Sequence, residues 1–202
     1  MPPILFEPRA TILAGTRITL TPIENSHFSS LCQIALEPDI WTWMLNAPPT
    51  TEIEFRAIFD QMVELKESGS QMPFVVTSNS DGRTLGCTRL FDFRASDRAL
   101  EIGYTWYAFG ARGTLVNQEA KVLLLTHCFD ELDANRVQLK TDARNARSRR
   151  AIEKIGAKFE GILRNYQRRH DGTCRDTAMF SIIPEDWPAA REVLRSRLSD
   201  EG

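Results

Sequence analysis

Residues 17 to 23, RITLTPI, alternate apolar and polar side chains as a half-buried strand does, and Asn25 or Ser26 then stands where a helix ending near Leu36 would be capped. Thr51 and Glu54 have the spacing of a capping box, and Phe55, Ile58, Phe59, Met62 and Leu65 follow on one helical face. PFVVTS, the turn NSDGR, TLGCTRLFDF and, after the polar break RASDR, ALEIGYTWY read as three sequential antiparallel strands. NQEAKVLLLTHCFDEL is helical, with Asn117 at the N-cap and residues 120, 121, 124, 125 and 128 on a buried face. RVQLKT is a short strand. NARSRRAIEKIG is a helix opened by Asn145 and stopped at Gly156. KFEGILRNYQRR and CRDTAMFSII close a hairpin through Asp171-Gly172, and EDWPAAREVLRSRL forms a last helix. The predicted order, β-α-α-β-β-β-α-β-α-β-β-α, is that of an α/β (α+β) protein: a mixed sheet with helices on its faces.

Two hundred and two residues without a Gly/Ser linker or repeat fit one domain, 1–202, with an acceptor-side portion at 14–69, a core at 70–183 and a C-terminal helix at 184–202. The formal net charge of -2 argues against a nucleic-acid surface despite the run RNARSRR and Arg164, Arg168 and Arg169 beyond it. Apolar runs such as VLLL at 122–125 are far too short to span a bilayer, and MPPILFEPRATIL lacks the basic start of a secretion signal, so a cytoplasmic protein is expected. Cys32, Cys87, Cys128 and Cys174 have no paired spacing and read as reduced packing residues; no metal site is expected.

One segment changes this picture. FGARGTLVNQEAK, residues 109–121, joins a strand to a helix through a glycine-containing loop. Such a junction presents unpaired N–H groups at the positive end of a helix dipole, where a phosphate is held. Arg112 would add charge, and Gly113 removes a Cβ where a ligand approaches.

Leu100-Glu101-Ile102-Gly103-Tyr104 before that loop, Arg112-Gly113-Thr114-Leu115-Val116-Asn117 within it, and Asn145-x-x-Ser148 through Lys154-Ile155-Gly156-Ala157 after it resemble the GNAT N-acetyltransferase superfamily, in its ribosomal-protein (RimJ/RimL-type) branch. Glu160-Gly161, Asp171-Gly172, Asp176 and Ser181 continue the resemblance, which covers most of 70–183. It implies a mostly antiparallel sheet with helices on both faces and a splayed parallel strand pair that holds acetyl-CoA. Ile102, Gly103 and Tyr104 would pair with the pantetheine arm, residues 112–117 would hold the pyrophosphate, and Asn145 and Ser148 would meet the cofactor from the second helix. Two positions depart from the pattern: Leu115 replaces a glycine, which is strained if the backbone there needs positive φ, and Ile152 occupies the place of the tyrosine that protonates the departing thiolate.

Acetyl transfer to an amine requires the amine unprotonated, and an alkyl ammonium has a pKa of about 10, an α-ammonium about 8. A carboxylate base is therefore expected. Glu101, on the opposite strand face from Leu100 and Ile102, competes with Glu160, which matches the position used in the ribosomal-protein branch; either would otherwise be a solvated or ion-paired carboxylate. Ser148 is the candidate acid, unless it only satisfies its own backbone. Trp41, Trp43 and Met44 lie where the resemblance places the acceptor mouth, and serve equally as core. The reading is an acetyl-CoA-dependent N-acetyltransferase acting by direct ternary-complex attack on a primary amine, of a protein N-terminus or a small molecule. Its rival is a catalytically silent CoA-binding module, and a homodimer through residues 158–183 is a further expectation.

Overall fold

The structure is a computed structural model and describes Phe6 and residues 8–199; part of the segment 1–13 considered above as a secretion signal, and residues 200–202 of the expected helix 184–202, lie outside the described residues. Its elements are β1 (Leu13–Ala14), β2 (Ile18–Pro22), α1 (Phe28–Ala35), α2 (Glu52–Glu67), β3 (Met72–Ser78), β4 (Thr84–Arg94), β5 (Ala99–Tyr107), α3 (Val116–Thr126), β6 (Arg136–Asp142), α4 (Ala146–Lys154), β7 (Lys158–Arg168), β8 (Cys174–Ile182) and α5 (Trp187–Ser199). They follow the predicted order, with the two-residue β1 added as a partner of β2.

All strands join one eight-stranded sheet in the order β1-β2-β3-β4-β5-β6-β8-β7. Every pairing is antiparallel except that of β5 with β6, which is parallel and lasts three residue pairs, from Ala99↔Arg136 to Glu101↔Gln138. Beyond Glu101 the two strands part. Residues 102–107 of β5 keep β4 on one side and have no β6 partner on the other.

Alternation along the strands serves two cores. Leu20, Phe74, Leu90, Leu100, Ile102, Val137 and Leu139 bury one face against Leu124 and Leu125 of α3 and Leu194 of α5. Val75, Cys87 and Trp106 bury the other against Leu31 of α1 and Phe55 and Phe59 of α2. At about 25 cal/mol per Å² of apolar area removed from water, these two layers dominate the folding energy.

Local signals set the helix ends. Thr51 Oγ1 accepts from Glu54 N at 3.2 Å, while Glu54 reaches back to Thr50 N at 2.6 Å rather than to Thr51 itself, so the capping box is displaced by one residue. Asn145 Oδ1 caps α4 by accepting from Ser148 N at 3.0 Å, and Gly156, at φ +89°, ends it. Asn117 is not an N-cap: α3 begins at Val116, whose N–H bonds Thr114 Oγ1 at 3.3 Å, and Asn117 Oδ1 instead accepts from the Tyr107 hydroxyl at 3.4 Å. The first helix likewise begins later than predicted, at Phe28, because Asn25–His27 form a 3-10 turn. Of the four cysteines, Cys32, Cys87 and Cys128 are buried packing residues, but Cys174 is exposed at the start of β8.

Candidate active site

The splay of β5 from β6 opens a cleft of ≈ 610 Å³, walled by β5, β6, the amino-terminal ends of α3 and α4, and the 39–45 segment. Of the sequence-derived candidates, Glu101, Ile102, Gly103, Tyr104, Arg112, Gly113, Thr114, Asn117, Asn145 and Ser148 all line it. Glu160 does not, and Leu115 and Val116 sit just behind the lining at the α3 cap.

Glu101 is 1% exposed. Its Oε2 accepts from Gln138 Nε2 at 3.0 Å and from Lys140 Nζ at 2.8 Å. Among the described residues both bonds fall on that one oxygen. Oε1 points toward Gly103, where an added Cβ would lie 3.4 Å from it. Burial raises the Glu101 pKa above its ordinary 4.5, and the adjacent Lys140 ammonium pulls against that rise. The site thus holds a carboxylate that is more basic than a solvated one.

Glu160 has a different setting. Arg136 grips it with both terminal nitrogens, Nη1 to Oε1 at 2.7 Å, and Ser181 Oγ donates to Oε1 at 2.8 Å. The guanidinium holds its pKa below the usual value, which suits a structural ion pair between β6, β7 and β8 and not a proton acceptor at the cleft.

The loop before α3 turns at Gly113, which adopts φ +80° with open space where a Cβ would stand, and Gly113, Thr114, Asn117 and Gln118 line the cleft at the start of that helix. Leu115 carries no strain: it sits at φ -71°, ψ -8°, and the positive φ falls on Gly113 instead. Arg112 is not a free phosphate ligand, however. Its Nε donates to Tyr107 O at 2.8 Å, and its terminal nitrogens pair with Glu37 (2.7 Å) and Asp39, which fastens this loop to the segment after α1. Cationic lining comes from α4, where Arg147, Arg150 and Lys154 face the cleft, while Arg149 turns away to Ala143 O and the Phe159 ring.

Three cations that were not among the expected site residues line the cleft: Lys121 and Arg175, both buried, and Lys140, which is half-buried. Lys121, in the second turn of α3, lies in the cleft wall with Nζ 3.1 Å from Thr105 Oγ1, and burial lowers its pKa to about 8. Lys140 holds Glu101. Arg175 on β8 donates to Thr177 Oγ1 at 3.1 Å and Gln167 Oε1 at 2.7 Å, and burial lowers its pKa. Their trace in the sequence was periodicity: residue 121 falls on the expected buried face of its helix, and strand alternation puts Gln138 and Lys140 on the same face. Trp41 is buried, tilted against Trp106 with Nε1 donating to Ala35 O at 2.7 Å, and borders a smaller neighbouring cavity, whereas Trp43 and Met44 line the cleft.

The residues present fit acetyl-CoA: an unpaired strand edge for an extended amide-bearing arm, helix-terminal amides and arginines for phosphates, and a cleft whose buried Lys121 has no carboxylate partner among the described residues. Among the described residues no His, Cys, Asp and Glu cluster could hold a metal ion, and no helix is long and apolar enough to cross a membrane.

Comparison with known proteins agrees with this geometry. The acetyltransferase (GNAT) domain matches residues 17–158. An uncharacterized N-acetyltransferase, p20 of Bacillus licheniformis, is 24% identical over 171 residues, covering 85% of this chain and 95% of that protein. A putative ribosomal N-acetyltransferase, YdaF of Bacillus subtilis (strain 168), is 32% identical over 107 residues, 53% of this chain and 57% of its own. Among solved structures, a GCN5-related N-acetyltransferase from Brucella melitensis superposes with a TM-score of 0.89 at 28% identity, covering 96% of this chain and 88% of that one. Splayed strands, phosphate-ready helix end and matched domain together establish that this chain belongs to the GNAT acetyltransferase family, whose members take their acetyl group from acetyl-CoA.

Proposed function

We propose that this enzyme acetylates a primary amine, of a protein N-terminus or a small molecule, by direct attack within a ternary complex, with Glu101 as the base. One observation carries the proposal: a buried carboxylate, raised in pKa, keeps one oxygen unbonded where the parallel strands part. Acetyl-CoA supplies the acyl group as a thioester. Its phosphates fit the first-turn amides of α3, with Arg147 and Arg150 opposite and Lys121 beneath. On the edge of β5 that β6 leaves unpaired, the outward-facing amides between Ile102 and Tyr104 would hold the pantetheine arm and polarise the thioester carbonyl. Asn145 contributes by fixing the start of α4, which carries Ser148 into the cleft with its hydroxyl available to protonate the departing thiolate.

Glu101 takes the amine proton. Lys140 and Gln138 hold the carboxylate in place through Oε2, and a base whose pKa lies nearer the working pH is a better acceptor than a solvated carboxylate. The reading includes a cytoplasmic location and a homodimer that covers β7. A silent CoA-binding module retains one motive, the apolar Ile152 in the cleft where the family tyrosine would stand.

Thermal unfolding with saturating acetyl-CoA, against ATP at equal concentration, tests the cofactor site; a ligand at 100 times its Kd adds about 2.7 kcal/mol, a rise of roughly 5 to 10 °C in Tm for a chain of this size. Amine-dependent release of CoA thiol tests the chemistry. Glu101→Gln is expected to lower kcat by about 10²- to 10⁴-fold while keeping the acetyl-CoA shift. In the wild type kcat rises with pH through an ionisation above 4.5, and that limb is absent from the variant. An unchanged kcat in Glu101→Gln would remove the base assignment, and an acetyl-CoA shift without CoA release from any amine would leave the silent module.

A further inference from the structure

Beside the cleft lies a second, smaller cavity of ≈ 170 Å³, closed over by α2 and sharing Met44, Tyr104 and Trp106 with the cleft as a common wall. Its one ionisable group apart from the Tyr104 phenol is Arg89 of β4, only 8% exposed. Arg89 Nη1 donates to Gln71 Oε1 at 3.1 Å, and the guanidinium stands 4.5 Å from the centroid of the Tyr104 ring. Its Nε is buried with no acceptor, and among the described residues no carboxylate lies within ion-pair distance. A guanidinium withdrawn from water without a counter-ion is costly, and a planar donor fork matches a carboxylate in two-point fashion.

The cavity's place relative to Glu101 gives that charge a use. Arg89 is the cross-strand partner of Gly103, and Phe91 that of Glu101, so Arg89 and Glu101 are diagonal neighbours on one face of the sheet. Such neighbours have Cβ atoms about 7 to 8 Å apart. A molecule presenting its amine to Glu101 Oε1 thus has Arg89 a few bonds away, past the Met44, Tyr104 and Trp106 side chains that border both spaces. The walls beside Arg89 are apolar or amide-bearing, Phe55, Ile58, Met62 and Gln61 among them, and a cavity of about 150 Å³ is enough for a benzene-sized group.

Resting on the acetyltransferase reading above, we infer that this cavity selects the acceptor: it binds a carboxylate carried by the amine substrate a few bonds from its nitrogen, through Arg89. The acceptor is thus an amino acid or a peptide terminus with an acidic side chain, and not a polyamine or an amino sugar.

The test compares matched acceptors that differ only in that group: ω-amino acids of increasing length against their own amides, and peptides with Asp against Asn at the second position. The readout is kcat/KM from CoA release. The wild type is expected to favour the carboxylate member by about 10- to 100-fold at the best length, as a site built around a polar partner rejects an analogue lacking it. In Arg89→Gln that ratio falls to about one, through KM. A second arm needs no catalysis and no variant: phenylacetate, but not phenylacetamide, raises the Tm of the wild-type protein. Equal rates within the pairs together with equal Tm values for the two probes would overturn the inference while leaving acetyl transfer standing. A preference that survives Arg89→Gln would overturn the role of Arg89. Stabilisation by phenylacetate in a protein that acetylates no amine would keep the anion site and remove the acetyltransferase reading.

Discussion

Lys121 is the residue whose position is hardest to explain by folding alone. It is buried in the second turn of α3 with one hydrogen bond, to Thr105 Oγ1, and its folded pKa of about 8 lies below the 10.5 of a solvated lysine. A depressed lysine pKa means that the folded state resists the proton: between pH 8 and 10.5 stability rises with pH, and below pH 8 the full penalty remains. Replacing it by methionine, similar in length and without charge, is therefore expected to stabilise the protein at pH 7 by something on the order of 2 to 3 kcal/mol after the lost hydrogen bond is allowed for, roughly 5 to 10 °C in Tm. The same variant flattens the stability profile between pH 8 and 10.5 and gains less from acetyl-CoA. Denaturant titrations across that range check the sign, and a Lys121→Met protein less stable at pH 7 would show that the ammonium is solvated. In sequence, helical periodicity already puts residue 121 on the buried face of its helix, but nothing local says that the ammonium lacks a carboxylate partner. Glu101 was legible, since a lone acid opposite two apolar neighbours in a strand has a definite face. For Glu160 the sequence left a base and an ion-paired carboxylate open, because the groups that bind it, Arg136 and Ser181, lie 24 and 21 residues away along the chain.

Element ends illustrate which parts of the fold the chain encodes locally. Gly113 and Gly156 both adopt positive φ, at +80° and +89°, but for different purposes. An alanine at Gly113 would meet nothing within 4 Å, so its cost is the left-handed backbone alone, about 1 to 2 kcal/mol. At Gly156 the new Cβ would stand 2.7 Å from Ala190 Cβ and 3.1 Å from its Cα, where α5 crosses the end of α4. Overpacking adds about 1 to 3 kcal/mol to the backbone cost. Gly156→Ala is thus expected to lose clearly more stability than Gly113→Ala in chemical unfolding, while Gly113→Ala loses more acetyl-CoA affinity. Equal losses would mean that α5 yields without cost. The α4 boundaries were readable because Asn145 and Gly156 each act on their own helix. The start of α3 was not, since Asn117 resembles a cap by type yet is drawn to the Tyr107 hydroxyl ten residues earlier. The splay was expected only through the family resemblance: RVQLKT and ALEIGYTWY are by pattern both plain strands, and their three-pair register is what makes the cleft.

Across the whole molecule, helices cover the sheet on both faces from β2 to β6 and leave β7 as an outer edge. Phe159, Ile162, Leu163 and Tyr166 of β7 are between 42% and 46% exposed, a row of apolar side chains shared between the two faces of an edge strand that pairs with β8 on one side. Irregularities between Phe159 and Gly161 and between Leu163 and Gln167, with Asn165 at φ +50°, interrupt its ladder and oppose simple extension of the sheet by another strand. A second copy of the chain that covers this row would accordingly pack on side chains rather than continue the hydrogen bonds. Light scattering is expected to give twice the 23.0 kDa chain mass for the wild type and a single-chain mass for Leu163→Glu, whose charge cannot be buried unpaired; a monomeric wild type at high concentration would sink the dimer. The base does not depend on that interface: Glu101 is 1% exposed within a single chain, and that burial is what raises its pKa. Leu163→Glu is therefore expected to separate the subunits while leaving the pH inflection of kcat above 4.5, and an inflection that moved down toward 4.5 would show that a partner chain supplies part of the burial.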